Sequence, residues 1–289
     1  MRETACLNLK DRIINSPCYI TNGSFNTRCL VALTKFLCLE RQLIMAYYDM
    51  CQAGVEYGIF KDVSTPDNVR DNAELKCLHH LEHAIIEYNN CYDTVLQIVY
   101  FVFEFVPDFQ TKNEFNKYLK GCRWSTKTNG IARFFERFIA ENPSLQEAEM
   151  FFEKLKEFYI TSGKPIRDIA NAIKHHGGIS TKKYQLPVPP GYTISLTQDS
   201  SNVKENILNA IRNNNLFSPA SILPLVIEIE ETIKLLELKT DDIYDFALYL
   251  FNVSGLYQAT EKSISLTKTF HPPFSITNGK ASFLHTDKQ

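Results

Sequence analysis

The chain has no CxxC pair, no GxGxxG, no P-loop, no GxSxG and no HExxH. Zinc ribbons, thioredoxin chemistry, nucleotide cradles, nucleophile-elbow hydrolases and zincin-type peptidases therefore have no foothold in it. Glycine and proline are scarce, at 11 and 12 of 289 residues, which disfavours a turn-rich all-β fold. Neither sign of charge dominates: 31 Lys and Arg face 33 Asp and Glu, for a net of −2. That balance argues against a chain coated by nucleic acid and leaves room for a local basic face. Long hydrophobic runs are absent too. The most apolar stretch, Leu96 to Val106, is interrupted by Gln97 and Glu104 and is far shorter than the roughly 18 residues of a membrane span.

The opening MRETACLNLKDRII carries charge where a signal peptide needs an apolar core, so the expectation is a soluble, cytoplasmic protein with no membrane segment. The eight cysteines stop at Cys122, and Cys38, Cys51, Cys77 and Cys91 fall inside helical apolar patterns. They read as mostly buried, reduced thiols of an intracellular protein.

With 44% hydrophobic and 22% charged residues, the chain is long enough to bury a full core without disulfides or metal. Helical periodicity predicts one long helix from Phe25 to about Phe60 and another from about Val69 to Val106, closed by Pro107. Shorter amphipathic segments follow at Thr111–Gly121, Asn129–Ala140 and Ser144–Ser162, the last opened by a Ser144/Glu147 capping box. Pro165 opens a compact helix, PIRDIANAIKHH, that Gly177-Gly178 closes. Residues 182–197, with three prolines and alternating Tyr, Val and Ile, read as an extended arm or hairpin. Helices return at Val203–Arg212 and Ala220–Asn252, and the final segment reads as a loosely held tail. The predicted architecture is all-α. It comprises an N-terminal arm over residues 1–24, an antiparallel helical bundle over 25–180, and a region 181–289 of extended arm, C-terminal helices and tail packed on the bundle.

The segment 165–178 carries the most chemistry. At about 100° per residue, Arg167, Asn171, Lys174 and His175 fall within about 100° of one another, while Ile166, Ile169 and Ile173 occupy the opposite side. His176 falls beside the isoleucines and reads as structural. A solvated surface helix would show such a polar face as well. Two details point further: Lys164, Lys182 and Lys183 flank it with Asp168 as the only nearby acid, and the mixture of fixed cation, amide and imidazole suits phosphate binding with proton transfer.

At these residues, IRDIANAIKHHGG resembles the signature helix of HEPN domains, all-α modules whose motif is an Arg, usually a polar residue, a short gap and a His. Asp168 follows Arg167 as that motif favours, and seven residues separate Arg167 from His175, one more than its usual limit, so that Asn171 or Lys174 could take part of the role. The stretch YNNCYDTVLQIVYFVF from Tyr88 is similar to a bacterial standalone branch of the same clan, and the resemblance spans roughly Phe25 to Ser180. It implies a metal-independent endoribonuclease of a toxin–antitoxin or anti-phage system that needs no cofactor. Arg167 would sit on the scissile phosphate, His175 would act as acid or base, Asn171 would orient the substrate and Lys174 would add charge. It also implies a homodimer with paired signature helices and a possible antitoxin or defence partner protein. Some members are catalytically silent scaffolds that bind a protein or nucleic acid, and that is the alternative.

Three further patterns stand without the resemblance. Asn89, Asp93, Gln97, Tyr100 and Glu104 form a stripe on an otherwise apolar helix, either its only wet face or a polar seam in the bundle. His79 and His83 are four apart, a chelating spacing, but no Glu-x-x-His on another helix completes a metal site, and none is expected. From Thr111 to Arg137, seven Lys or Arg against Glu114 and Glu136 give a net of +5 around Trp124. That stretch is a solvated basic surface or, with Lys120, Arg123 and Lys127, a track for an RNA backbone.

Overall fold

The computed structural model describes residues 27–103, 105, 109–126, 130–141, 143, 146–181, 224–253, 274–277 and 280–283. Helix accounts for 84% of them, which settles the class as predominantly α. Seven α-helices are described: α1 Thr27–Lys61, α2 Asp67–Val102, α3 Lys112–Gly121, α4 Ile131–Glu141, α5 Gln146–Lys156, α6 Lys164–His176 and α7 Ile229–Val253. A π-helical turn, Glu157–Ser162, follows α5 directly. Strands β1 Ile179–Ser180 and β2 Leu225–Val226 pair in parallel, while β3 Phe274–Thr277 and β4 Lys280–Phe283 pair antiparallel. Among the described residues, no helix is long and apolar enough to cross a membrane.

The joint between α1 and α2 is chemically specified. Asp62 accepts from the Ser64 amide at 2.9 Å and hydroxyl at 2.7 Å, a side-chain turn that ends α1. Arg70, in the first turn of α2, reaches back to donate to the Phe60 carbonyl at 3.0 Å, satisfying an acceptor that the helix end leaves open.

The chain divides into two compact units. Residues 1–43, 89–164 and 239–271 form one, and residues 44–88, 165–238 and 272–289 form the other. The first has an aromatic core. From α2 come Tyr92, Val95, Ile98, Val99 and Phe101, none with any exposed surface. Ala148, Phe151, Phe152 and Leu155 of α5 are buried at the i, i+3, i+4, i+7 spacing of one helical face. Phe158 of the π turn stacks on Phe246 of α7 at 4.2 Å and lies 4.7 Å from Tyr92. The same unit holds a polar knot, which the Tyr92 hydroxyl approaches at 3.4 Å from Ser162. Ser162 donates to Asp242 at 2.6 Å, and Lys239 donates to Ser162 at 2.9 Å and to Asp242 at 2.7 Å.

The second unit has a core built from smaller side chains. Ala46, Met50 and Ala53 of α1, with Ala73, Cys77, Leu81, Ala84 and Ile85 of α2, are almost wholly buried. His80 Nδ1 and Asp49 Oδ1, from the same two helices, meet at 2.9 Å.

Several expectations need correction. Helix α2 ends at Val102 rather than Val106. Residues two apart on a helix point in opposed directions, yet the Phe103 and Phe105 rings both lie within 6.2 Å of Phe135, so packing unwinds the last turn. Helix α7 begins at Ile229, not near Ala220, because backbone groups are committed elsewhere: the Leu225 amide donates to Gly178 at 3.1 Å and the Ile227 amide to Ser180 at 2.8 Å. The expected loose tail contains the β3–β4 pair, whose intervening Asn278-Gly279 is a strong two-residue hairpin signal. Cys38 is exposed, and Cys51 and Cys122 are half-buried, while Cys77 and Cys91 are buried as expected. The N-terminal arm, the Ser144 cap, the extended arm at 182–197 and the helix at 203–212 lie outside the described residues.

Leu81 is fully enclosed and Leu37 is 58% exposed. Leu81→Ala should therefore cost about 2–5 kcal/mol and Leu37→Ala less than about 0.5 kcal/mol, measured by urea denaturation.

Burial pushes the Cys77 thiol up from 9.0 to about 12, with the carboxylates of Glu56 and Glu74 adding to the effect. The folded chain thus holds that proton more tightly than the unfolded one, so this contribution is complete below the unfolded value and declines as pH rises towards about 12. Denaturation measured from about pH 8 to about pH 11 should show stability falling, and Cys77→Ala should lessen the slope.

Candidate functional site

Helix α6 is set up at its start by proline and at its end by glycine. Pro165 occupies the first turn, where its fixed φ suits the helix and its missing N–H leaves nothing unsatisfied. Just before it, the Gly163 amide closes the π turn on the Phe158 carbonyl at 2.9 Å. Ile166 and Ala170 are completely buried and Ile169 and Ile173 half-buried, so the anchored face of α6 is centred on Ile166 and Ala170 and is turned towards Arg167 from the isoleucine side that the wheel gives. On the other face Asn171, Lys174 and His175 are exposed and Arg167 is half-buried. At about 1.5 Å rise per residue, Arg167 and His175 stand about 12 Å apart along the axis, with Asn171 midway. The side chain of His176 lies outside the described set.

The exit from α6 is held by two carboxylates that sequence reasoning did not single out. Gly177 and Gly178 have φ of +82° and +108°, values that L side chains rarely adopt. Immediately afterwards the Ile179 amide donates to Glu82 Oε1 of α2 at 2.8 Å, and a Cβ on Gly178 would run into the same oxygen. Two residues later, the Thr181 hydroxyl donates to Glu74 Oε1 at 2.7 Å, with Glu74 only 1% exposed. Glu82 sits inside the HHLEH segment, where the histidine spacing drew attention away from it. No local pattern announces a glutamate that accepts from an amide 97 residues away.

The proposed backbone contacts divide. Lys164 opens α6, is exposed and is the last residue of its segment of the first unit. Lys120 and Arg123 are exposed but belong to the first unit, whereas Arg167, Asn171, Lys174 and His175 belong to the second. Lys127, Lys182 and Lys183 lie outside the described residues. Within the basic stretch, Arg133 pairs with Glu136 at 3.9 Å and Arg137 with Glu141 at 2.9 Å, exposed contacts of small energetic weight. Trp124 stacks with Phe152 and Tyr159 at 5.8 and 5.7 Å, so its ring is engaged by the protein's own aromatics.

The stripe on α2 is mixed rather than wholly wet or wholly a seam. Asn89 and Tyr100 are buried, and Asp93 is exposed and accepts from the Tyr159 hydroxyl at 3.3 Å. Among the described residues, Gln97 Oε1 is buried without a hydrogen-bond partner, and the Tyr100 hydroxyl crowds Gly121, where a Cβ would meet it at 2.9 Å. Glu104 lies outside the described residues. His79 and His83 are exposed with ring centroids 4.2 Å apart. Among the described residues, no group of three or more His, Cys, Asp or Glu is placed to hold a metal ion. An open groove of about 350 Å³, lined by Tyr47, Met50, Cys51, Gly54, Val55, Ile233 and Glu237, includes none of the predicted site residues.

Gly178→Ala should cost about 1–3 kcal/mol, from φ strain together with displacement of Glu82, whereas Gly177→Asn should cost less because Asn tolerates the left-handed region. Thermal or urea unfolding of the two variants measures the difference.

Compared with family models, curated proteins and solved structures, the chain matches none, so its chemistry is read from its own residues.

Proposed function

We propose that the protein is a HEPN-like, metal-independent endoribonuclease that works through the outer face of α6. One observation carries this reading. A half-buried arginine and an exposed amide, lysine and imidazole fall within about 100° of one another on a helix that is anchored at Ile166 and Ala170 and whose end is fixed at Gly177 and Gly178. Reacting groups on a rigid element keep their geometry better than groups on a loop.

The chemistry uses the substrate's own 2′-hydroxyl. Its oxygen attacks the adjacent phosphorus as its proton passes to a base, the P–O5′ bond breaks, and the departing oxygen takes up a proton. Arg167 binds the phosphate in a two-pronged contact and stabilises the charge that develops on it. His175 gives or takes the proton, Asn171 orients the ribose or phosphate, and Lys174 adds positive charge. An axial separation of about 12 Å exceeds what one phosphate can bridge, so the reading includes a homodimer in which a two-fold contact brings each Arg167 towards the partner's His175. The natural setting of such an activity is toxin–antitoxin or anti-phage defence, with a partner protein that restrains it.

Purified protein should cleave single-stranded RNA in EDTA, leave 2′,3′-cyclic phosphate and 5′-hydroxyl ends, and run as a dimer by light scattering. Arg167→Ala and His175→Ala should each lower the rate by about 10²–10⁴ without unfolding the protein. Cleavage that disappears in EDTA, or that survives the double substitution, removes the ribonuclease reading in favour of a silent scaffold that binds a protein or nucleic acid.

A further inference from the structure

The two proposed reacting groups depend on α6 in different ways. Arg167 lies in the first half, directly beside the fully buried Ile166 and one turn from Ala170, so core packing holds it. His175 lies in the last turn, where the final carbonyls have no intrahelical partners and helices fray. Four residues beyond it the chain is fastened. The Ile179 amide donates to Glu82 Oε1 at 2.8 Å, and Gly178 has φ of +108° with its Cα directed so that any Cβ would strike that oxygen. The Leu225 amide then donates to the Gly178 carbonyl at 3.1 Å. Glu82 is the only one of these groups that comes from α2.

Electrostatics make its presence informative. A carboxylate close to a helix C-terminus opposes the negative end of the helix dipole, so its charge does not favour this location. What it contributes is an acceptor at a set distance. From this geometry we propose that Glu82 is a positioning residue for His175, fixing where α6 stops and hence where the imidazole stands. The proposal rests on the ribonuclease reading for its consequence in catalysis, but not for the positioning itself.

Three variants test it: Glu82→Ala, Glu82→Gln, and Glu87→Gln as a control on the same helix. With a defined single-stranded RNA oligonucleotide, Glu82→Ala should lower kcat by about 10- to 100-fold and leave KM within about twofold, since loss of alignment acts on the chemical step. Glu82→Gln keeps the acceptor and should stay within about threefold of the parent, as should Glu87→Gln. In parallel, the imidazole NMR signal that disappears in His175→Ala should shift in Glu82→Ala and return to its place in Glu82→Gln. If Glu82→Ala does not fold, Glu82→Asp, one methylene shorter with the same charge, should reproduce its effects on kcat and on the imidazole signal. The proposal is overturned if the Ala or Asp variant keeps parental kcat, if Gln is as impaired as Ala, or if the His175 signal stays unmoved in the Ala or Asp variant. Should the parent protein not cleave RNA at all, the ribonuclease reading fails alone, and the NMR comparison still decides whether Glu82 sets the place of His175.

Discussion

Between Tyr88 and Val102, α2 offers water almost nothing. Tyr88, Cys91, Tyr92, Val95, Ile98, Val99 and Phe101 are fully enclosed, and Leu96 and Val102 nearly so. A helix that is apolar on nearly every side cannot rest on a core, because it has to be the core. In the first unit the surrounding chain answers this demand with aromatic rings: Phe151 and Phe152 from α5, Phe158 from the π turn and Phe246 from α7. Large flat side chains in edge and stacked contact fill the space around a thick helix without voids, and each removes much apolar area from water. The N-terminal half of α2 meets a different neighbour. There Ala73, Cys77, Leu81 and Ala84 of α2 and Ala46, Met50 and Ala53 of α1 are buried, and His80 Nδ1 meets Asp49 Oδ1 at 2.9 Å.

Helix existence was legible in the sequence because it depends on periodicity and on punctuation by Pro and Gly. Pro165 and Gly177-Gly178 bracketed α6 to within one residue, and of the Ile166, Ile169 and Ile173 side that its wheel assigns to the core, Ile166 is fully buried while Ile169 and Ile173 are half-buried and Ala170, unassigned, is fully buried. What escaped the sequence depends on distant partners. The start of α7 is delayed by a parallel pairing with Ile179–Ser180, and the end of α2 is unwound by Phe135, neither of which is a local property. Asn278-Gly279 and the Thr111/Glu114 capping box were local signals that a helical expectation passed over, although Glu114 accepts from the Thr111 amide at 3.2 Å as a capping box requires.

The candidate site divides along the same line. Which residues share the outer face of α6 follows from an angle per residue, so Arg167, Asn171, Lys174 and His175 could be grouped from sequence. Which residues hold that helix in place could not, because Glu74 and Glu82 act on Thr181 and Ile179 across about a hundred positions. The basic stretch shows what a count of charges leaves out. Its count of charges was correct, yet Arg133 and Arg137 are paired within their own helix and Trp124 is stacked against Phe152 and Tyr159. Composition reports how many cations a segment has, and only the structure reports which of them are paired with a neighbouring carboxylate.

The parallel pairing of Ile179–Ser180 with Leu225–Val226 has a consequence for the order in which the protein comes into being. A chain emerging from the ribosome with its N-terminus first presents all of α6, and the Glu82 that caps its exit, well before residue 225 has been made. During that interval the strand after Gly178 has one of its two flanking attachments and lacks the other. Joining them afterwards requires closing a long loop, a step whose entropy must be met before the contact can form. The geometry of the α6 exit is therefore completed late in synthesis, so a partly made chain carries the residues of the candidate face without their finished frame.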